Sequence, residues 1–113
     1  MRKIEALMVQ AVKNGRDWKS GNTSVDVTDQ GIIVRLHGNK IAQIEPWDQV
    51  VYVTDAGWQT TTTKSRLNAL LLGLGGRGHI AQKNYVWQLT RGLDSTDAYV
   101  TEMERDGVYA VSL

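Results

Sequence analysis

The sequence of 113 residues contains no cysteine, no phenylalanine and a single proline. Without cysteine the chain can form neither a disulfide framework nor a thiolate metal site. No stretch approaches the roughly 20 apolar residues of a membrane-spanning helix. Glu5 and Gln10 also interrupt the apolar stretch that a signal peptide would need near the N-terminus. We therefore expect a cytoplasmic protein that makes no contact with a membrane.

Recognisable catalytic motifs are also missing. The sequence has no G-x-S-x-G nucleophile elbow, no H-E-x-x-H zinc motif and no Walker lysine. The spacing of the two histidines, His37 and His79, does not suggest a metal site. Residues 73–78 match G-x-G-x-x-G, but a predicted helix precedes them and a predicted strand follows, the reverse of the order that dinucleotide binding requires. The sequence therefore predicts a protein that is not an enzyme and that uses no cofactor or metal.

Two segments show the periodicity of helices. Apolar residues recur at helical spacing near the N-terminus and predict a helix over about 3–14, which Gly15 would end. A run of four threonines, 60–63, precedes a leucine stripe and predicts a capped second helix over 62–72. Leu67, Leu70 and Leu71 are expected to be buried. The glycine-rich stretch 73–78 is expected to be a loop.

Short alternating runs predict about five to seven strands. They occupy Thr23–Thr28, Ile32–Leu36, Lys40–Glu45, Val50–Thr54, residues 81–89, Ala98–Met103 and Val108–Val111, the last two joined by a hairpin at Asp106-Gly107. The connections are too short for crossover helices, so the strands should pair antiparallel. The predicted fold is one α+β domain over residues 1–113, with two helices packed on a single antiparallel sheet in the order α-β-β-β-β-α-β-β-β.

The net charge of +1 conceals an uneven distribution. Residues 61–92 carry five basic side chains and no acidic one, whereas 21–60 and 93–113 each carry five acidic side chains. An uninterrupted basic segment is typical of a surface that meets phosphates or an acidic partner. This asymmetry is the strongest electrostatic signal in the sequence.

A candidate anion site lies where the basic segment meets the second helix. Lys64 and Arg66 fall on its first turns, where the helix dipole disfavours cations, and a bound anion would relieve that conflict. Helix-start hydroxyl and N–H groups could hold an oxyanion. The predicted nucleic-acid or anion-binding residues are Thr62, Thr63, Lys64, Arg66, Arg77 and Lys83. The alternative is that Lys64 and Arg66, both expected to be exposed, are ordinary solvated residues balanced by acids of 93–113.

Four tryptophans are further candidates for contact with nucleic acid, because aromatic side chains beside basic residues can stack nucleobases. Trp87 alternates with polar neighbours and is expected in the core. Trp18, Trp47 and Trp58 fall at the ends of predicted elements, and at least one is expected to be exposed.

Two blocks of sequence, Leu36–Ala42 and Gly57–Leu70, together resemble small proteins of unassigned function from tailed bacteriophages, and Gln82–Trp87 looks like a third block of that group. The resemblance covers about residues 22–90. It implies a viral origin and action in the cytoplasm of a host bacterium, and it carries over no catalytic or binding residue. The order α-β-β-β-α also resembles a double-stranded RNA-binding domain, in topology alone, which is a weak basis for function.

These observations favour a non-enzymatic phage accessory protein that binds nucleic acid through residues 61–92. Two alternatives stay open: an inhibitor or modulator that binds a bacterial host protein, and a small virion or assembly component. Self-association into a homo-oligomer is also left open.

Overall fold

The computed structural model describes residues 1–92 and 98–113. Within them the chain forms two helices and nine strands. Their order is α1 (Lys3–Lys13), β1 (Trp18–Ser20), β2 (Thr23–Thr28), β3 (Gly31–Leu36), β4 (Asn39–Glu45), β5 (Val50–Val53), α2 (Thr61–Leu74), β6 (Gly78–Lys83), β7 (Val86–Arg91), β8 (Tyr99–Glu102) and β9 (Tyr109–Ser112). The predicted α+β class and both predicted helices are confirmed, and β1 is a strand that the sequence did not indicate.

The strands form two antiparallel sheets, so the prediction of a single sheet is wrong. The larger sheet has the order β1-β2-β3-β4-β5-β9, and the smaller one has the order β6-β7-β8. Asn84 and Tyr85 both have positive φ and turn the chain between β6 and β7, so the strand predicted over 81–89 is in fact a hairpin. The hairpin predicted at Asp106-Gly107 does not form, because β8 pairs with β7 whereas β9 pairs with β5.

One continuous core joins the helices to both sheets. The helices contact the face of the larger sheet that Val25, Val34 and Val53 line, and all three of these residues are fully buried. Ile80, Trp87 and Leu89 of the smaller sheet belong to the same cluster. Leu67, Leu70 and Leu71 are at most 1% exposed, which confirms their predicted burial. Trp87 is also buried, as predicted.

The start of α2 and the end of α1 have the caps that the sequence predicts. At the start of α2 the hydroxyl of Thr60 accepts a hydrogen bond from the N–H of Thr63 at 3.1 Å, which is the expected threonine cap. After α1, Gly15 adopts a left-handed φ of 58°, and the N–H of Arg16 donates to the carbonyl of Ala11 at 3.0 Å. This is the usual geometry of a glycine-ended helix.

Gly73 allows α1 and α2 to approach closely. The sequence placed Gly73 in a loop, but α2 continues to Leu74, so Gly73 is helical and that prediction is wrong. A Cβ atom at this position would lie 2.5 Å from Cγ1 of Val9 on α1. Because a valine side chain has little freedom to rotate away, the two helices need glycine at this contact.

Gly73→Ala is expected to lower the free energy of unfolding by about 1 kcal/mol. Overpacking costs about 1–3 kcal/mol, and the better helix propensity of alanine returns up to about 1 kcal/mol. Urea titration measures the change, and adding Val9→Ala should recover part of it beyond the sum of the single effects. Leu72→Ala, at a 69% exposed position on the same helix, is the control. A Gly73→Ala variant more stable than the wild type would contradict the close approach.

Candidate nucleic-acid interface

The two helices lie side by side with their N-termini at the same end of the molecule. Glu5, in the first turn of α1, contacts Ser65 and Arg66 in the second turn of α2. Further along, Val9 contacts Gly73. Contacts that advance together along both helices mean that they run in the same direction. Their positive dipole ends are therefore neighbours.

A buried ion pair joins these helices. A guanidinium nitrogen of Arg66 donates to Oε2 of Glu5 at 2.8 Å, and Nε of Arg66 donates to the hydroxyl of Thr23 at 3.1 Å. Ser65 donates a further hydrogen bond to Glu5 at 2.6 Å. Burial on its own would raise the pKa of Glu5, but the hydrogen bonds from Ser65 and Arg66, with the charge of Arg66, outweigh it and lower that pKa.

The prediction that Arg66 is exposed is wrong. Its exposed fraction is 4% and that of Glu5 is 3%. Arg66 lies on the face of α2 that meets α1, where Glu5 balances its charge, so the guanidinium is not on the surface. Of the two cations predicted at the start of α2, only Lys64 is partly exposed, and it makes no ion pair with a described residue.

The other predicted residues are divided between the two ends of α2. Asn68 hydrogen-bonds both the N–H and the carbonyl of Ile80, so β6 returns alongside α2. The exposed Lys83, at the end of β6, therefore lies towards the same end of the molecule as Lys64. The exposed Arg77 follows the opposite end of α2, and that helix end is about 15 Å from Lys64 along the axis.

The two predicted threonines have different surroundings. The N–H and the hydroxyl of Thr63 are both engaged by the hydroxyl of Thr60, at 3.1 and 2.9 Å. Both threonines line a cavity, but Thr63 is buried and its polar groups are engaged, whereas Thr62 is partly exposed. Thr62 is therefore the better placed of the two to meet a ligand directly.

We call residues 1–16 and 61–92, which include α1, α2, β6 and β7, the basic half. It carries nine basic side chains and one acidic side chain, Glu5, which is already paired with Arg66. The elements are contiguous, since α1 packs on α2 and α2 packs on β6. The exposed formal charge of this half is consequently of one sign.

Sequence reasoning left four members of this surface unassigned. Arg2 and Lys3 are exposed at the start of α1, and Lys13 and Arg16 are exposed at its end. The signal was available as an excess of basic residues in 1–20, but only the parallel packing of the two helices joins it to residues 61–92.

A cavity of about 420 Å³ opens beside the start of α2. Its walls include His37, Asp55, Trp58 and Thr62. His37 lies in the predicted turn before β4, with a positive φ of 53°. Trp58 is 63% exposed, so the cavity is bordered by an accessible indole ring. We call this space the Trp58 cavity.

A larger open cavity of about 800 Å³ lies over β1, β2 and β3. It is less suited to an anion, because Asp17 and Asp26 line it together with Lys19 and Arg35. Arg35 is also already paired with Asp26 at 3.3 Å. Mixed charge of this kind does not favour a phosphate backbone.

Among residues 1–92 and 98–113, no three histidine, aspartate or glutamate residues come together in a group that could hold a metal ion. Neither α1 nor α2 is long and apolar enough to cross a membrane.

Comparison with known proteins gives one result. The model of a protein family described as Kyanoviridae Gp96 protein matches residues 1–107. The chain belongs to this family. It is therefore a small bacteriophage protein, which confirms the predicted viral origin, while the blocks Leu36–Ala42 and Gly57–Leu70 stay a prediction. No curated protein and no solved structure matches the chain.

Proposed function

We propose that this phage protein is a non-enzymatic accessory protein that binds nucleic acid through its basic half, in the cytoplasm of the host bacterium. The observation that carries the proposal is the single sign of the exposed charge on the packed helices and β6. Arg66 is paired with Glu5, the one acidic side chain there. The basic side chains at the surface of this half include Arg2, Lys3, Lys13, Arg16, Lys64 and Lys83. Exposed cations of one sign are what a phosphate backbone recognises.

The dimensions of the surface suit a nucleic-acid strand. With 14 residues, α2 is about 20 Å long, and each strand of a duplex carries a phosphate about every 3.4 Å along its axis. Cations at both ends of the helix pair could therefore contact phosphates several nucleotides apart. Contacts of this type position a strand and carry no base sequence information.

Lys3→Ala combined with Lys64→Ala is expected to weaken binding about tenfold at low salt and to flatten its salt dependence by about one unit per lost contact. Folding should be unaffected, since neither side chain is in the core. Fluorescence anisotropy with labelled single-stranded and duplex oligonucleotides, at about 50 and 200 mM salt, measures both effects.

Lys19→Ala with Lys40→Ala is the matched control, because it removes two exposed lysines from strands of the larger sheet and leaves the basic half intact. An equal loss in this control would mean that net charge, and not the basic half, governs binding. Absence of binding by folded wild-type protein at low salt would end the nucleic-acid proposal.

Binding of a host protein is the second candidate. Tyr85, at the tip of the β6–β7 hairpin, is 91% exposed, and Val100 on β8 is 57% exposed. Tyr85 lies at the turn end of the smaller sheet, and Val100 pairs with Thr90 towards its other end. Large exposed apolar side chains on one sheet are typical of a protein-binding surface. If the oligonucleotides do not bind, a pull-down from bacterial lysate treated with nuclease distinguishes this function by the protein that it retains.

A further inference from the structure

The Trp58 cavity contains a buried carboxylate with an unused oxygen. Asp55 is 1% exposed, and its Oδ1 accepts hydrogen bonds from the N–H groups of Gly57 at 2.7 Å and Asp106 at 2.9 Å. Its Oδ2 is buried and has no hydrogen-bond donor among the described residues. A buried carboxylate oxygen without a donor is costly, so Oδ2 is the polar atom that Asp55 can offer to a ligand in the cavity.

Trp58 lines the same cavity as Asp55. The backbone N–H of Trp58 donates to the backbone carbonyl of Asp55 at 2.9 Å, within a turn where Ala56 and Gly57 both have positive φ. An exposed indole next to a buried hydrogen-bond acceptor is suited to a flat ring that stacks on one group and donates to the other. Oδ2 lies beneath the cavity surface, so the ring must enter deeply to reach it.

The surrounding charge favours a nucleobase over a basic side chain as the group that enters the cavity. A carboxylate and an indole could also hold a lysine or arginine side chain of a partner protein. That cation, however, would meet the positive end of the α2 dipole, because Thr62 and Thr63 of its first turn line the cavity and Lys64 follows them. A neutral base attached to a phosphate backbone is attracted by Lys64 and by the same helix end.

We propose that the Trp58 cavity receives one unpaired nucleobase that carries an exocyclic amino group, stacked on Trp58 and hydrogen-bonded to Oδ2 of Asp55. This proposal rests on the proposed nucleic-acid function and adds to it a preference for single strands. Base pairing would occupy the amino group and hide the base face, so a duplex cannot fill the cavity. Among pyrimidines, cytosine offers an amino donor at the ring position where thymine has a carbonyl acceptor.

Asp55→Asn provides a test in which the preference inverts. The N–H groups of Gly57 and Asp106 require an acceptor, so they hold the amide oxygen in the place of Oδ1. The amide nitrogen then takes the place of Oδ2 and presents a donor to the cavity. The variant is therefore expected to prefer thymine, whereas the wild-type protein prefers cytosine.

The experiment is a fluorescence anisotropy titration of the whole protein with labelled oligo(dC) and oligo(dT) of about eight nucleotides. Wild-type protein is expected to bind oligo(dC) about tenfold more tightly than oligo(dT), and Asp55→Asn should reverse the order. Trp58→Ala should weaken binding of both about tenfold or more. Trp47→Ala, at a similarly exposed tryptophan in the β4–β5 turn, is the matched control and should change neither affinity.

The outcomes separate this inference from the proposed function. Unchanged affinities in Asp55→Asn and Trp58→Ala, together with a loss in the Lys3 and Lys64 variant, would overturn the cavity and retain the basic half. A shift of the Trp58 indole N–H resonance with argininamide, but not with cytidine monophosphate, would overturn the base in favour of a protein cation. If wild-type protein binds no oligonucleotide, both proposals fail.

Discussion

Arg66→Met is expected to lower the free energy of unfolding by about 3–5 kcal/mol, because it leaves the carboxylate of Glu5 buried without its cation. The hydroxyl of Thr23 also loses the donor that Nε of Arg66 supplies. Chemical denaturation with urea, followed by circular dichroism, measures the change. A variant as stable as the wild type would show that the pair is not buried as described.

Glu5→Leu combined with Arg66→Met is the control for this first result. Removing both charges together leaves an apolar contact between the helices, and such replacements are often neutral or stabilising. The double variant should therefore recover most of the loss caused by Arg66→Met alone. Failure to recover would mean that the guanidinium acts mainly through packing and through Thr23, not through Glu5.

Acid should weaken the same ion pair. Because the pKa of Glu5 is lowered in the folded protein, the unfolded chain binds more protons as the pH falls below the ordinary glutamate value of about 4.3. The stability that Glu5 contributes is thus present above that value and is lost as the pH falls through the lowered pKa. The variant without both charges should lack this part of the pH dependence.

Leu70→Asp is the second variant with a large expected effect. Leu70 is fully buried in the face of α2 that meets the core, so the aspartate would be an unpaired charge in an apolar site. The expected loss is several kcal/mol, enough to unfold a domain of ordinary stability. A thermal melt followed by circular dichroism would show it as a missing cooperative transition.

Leu72→Asp is its matched control, two residues further along the same helix. Leu72 is 69% exposed, so the same substitution should change stability by no more than about 1 kcal/mol. A native melting temperature for Leu70→Asp would show that the assigned buried face of α2 is wrong. Equal losses at both positions would show instead that the helix cannot tolerate aspartate near its C-terminal half.

The helices could be predicted because their signals are local. The leucine stripe of α2 and the cap at Thr60 act within a few residues, and the structure keeps them. Arg66 was misread, although it lies four residues before the buried Leu70 and so on the same helix face. Glu5 likewise precedes Met8 and Val9 on the buried face of α1. One charged residue on the apolar face of each helix, with opposite signs, indicates a buried ion pair. Sequence alone could not show that these two residues, 61 positions apart, contact each other.

Strand pairing was less accessible, since alternation reports which residues are buried and not which strands are neighbours. The alternating pattern runs through Asn84 and Tyr85 without glycine or proline to mark the turn. The basic half was predictable only in part, because one part of it depends on composition and the other on tertiary packing. The charge of residues 61–92 is a property of composition, whereas its union with Arg2 and Lys3 depends on how α1 packs against α2.

The amide of Asn68 has a consequence for the protein at high concentration. It bonds the N–H and the carbonyl of Ile80 at 2.7 and 2.8 Å, as a neighbouring strand would. An open strand edge is a template on which another chain can assemble, and proteins commonly cover such edges. With this side chain on Ile80 and α2 packed against the strand, the middle of β6 is closed to a second chain. The smaller sheet is thereby protected at this point from edge-to-edge aggregation.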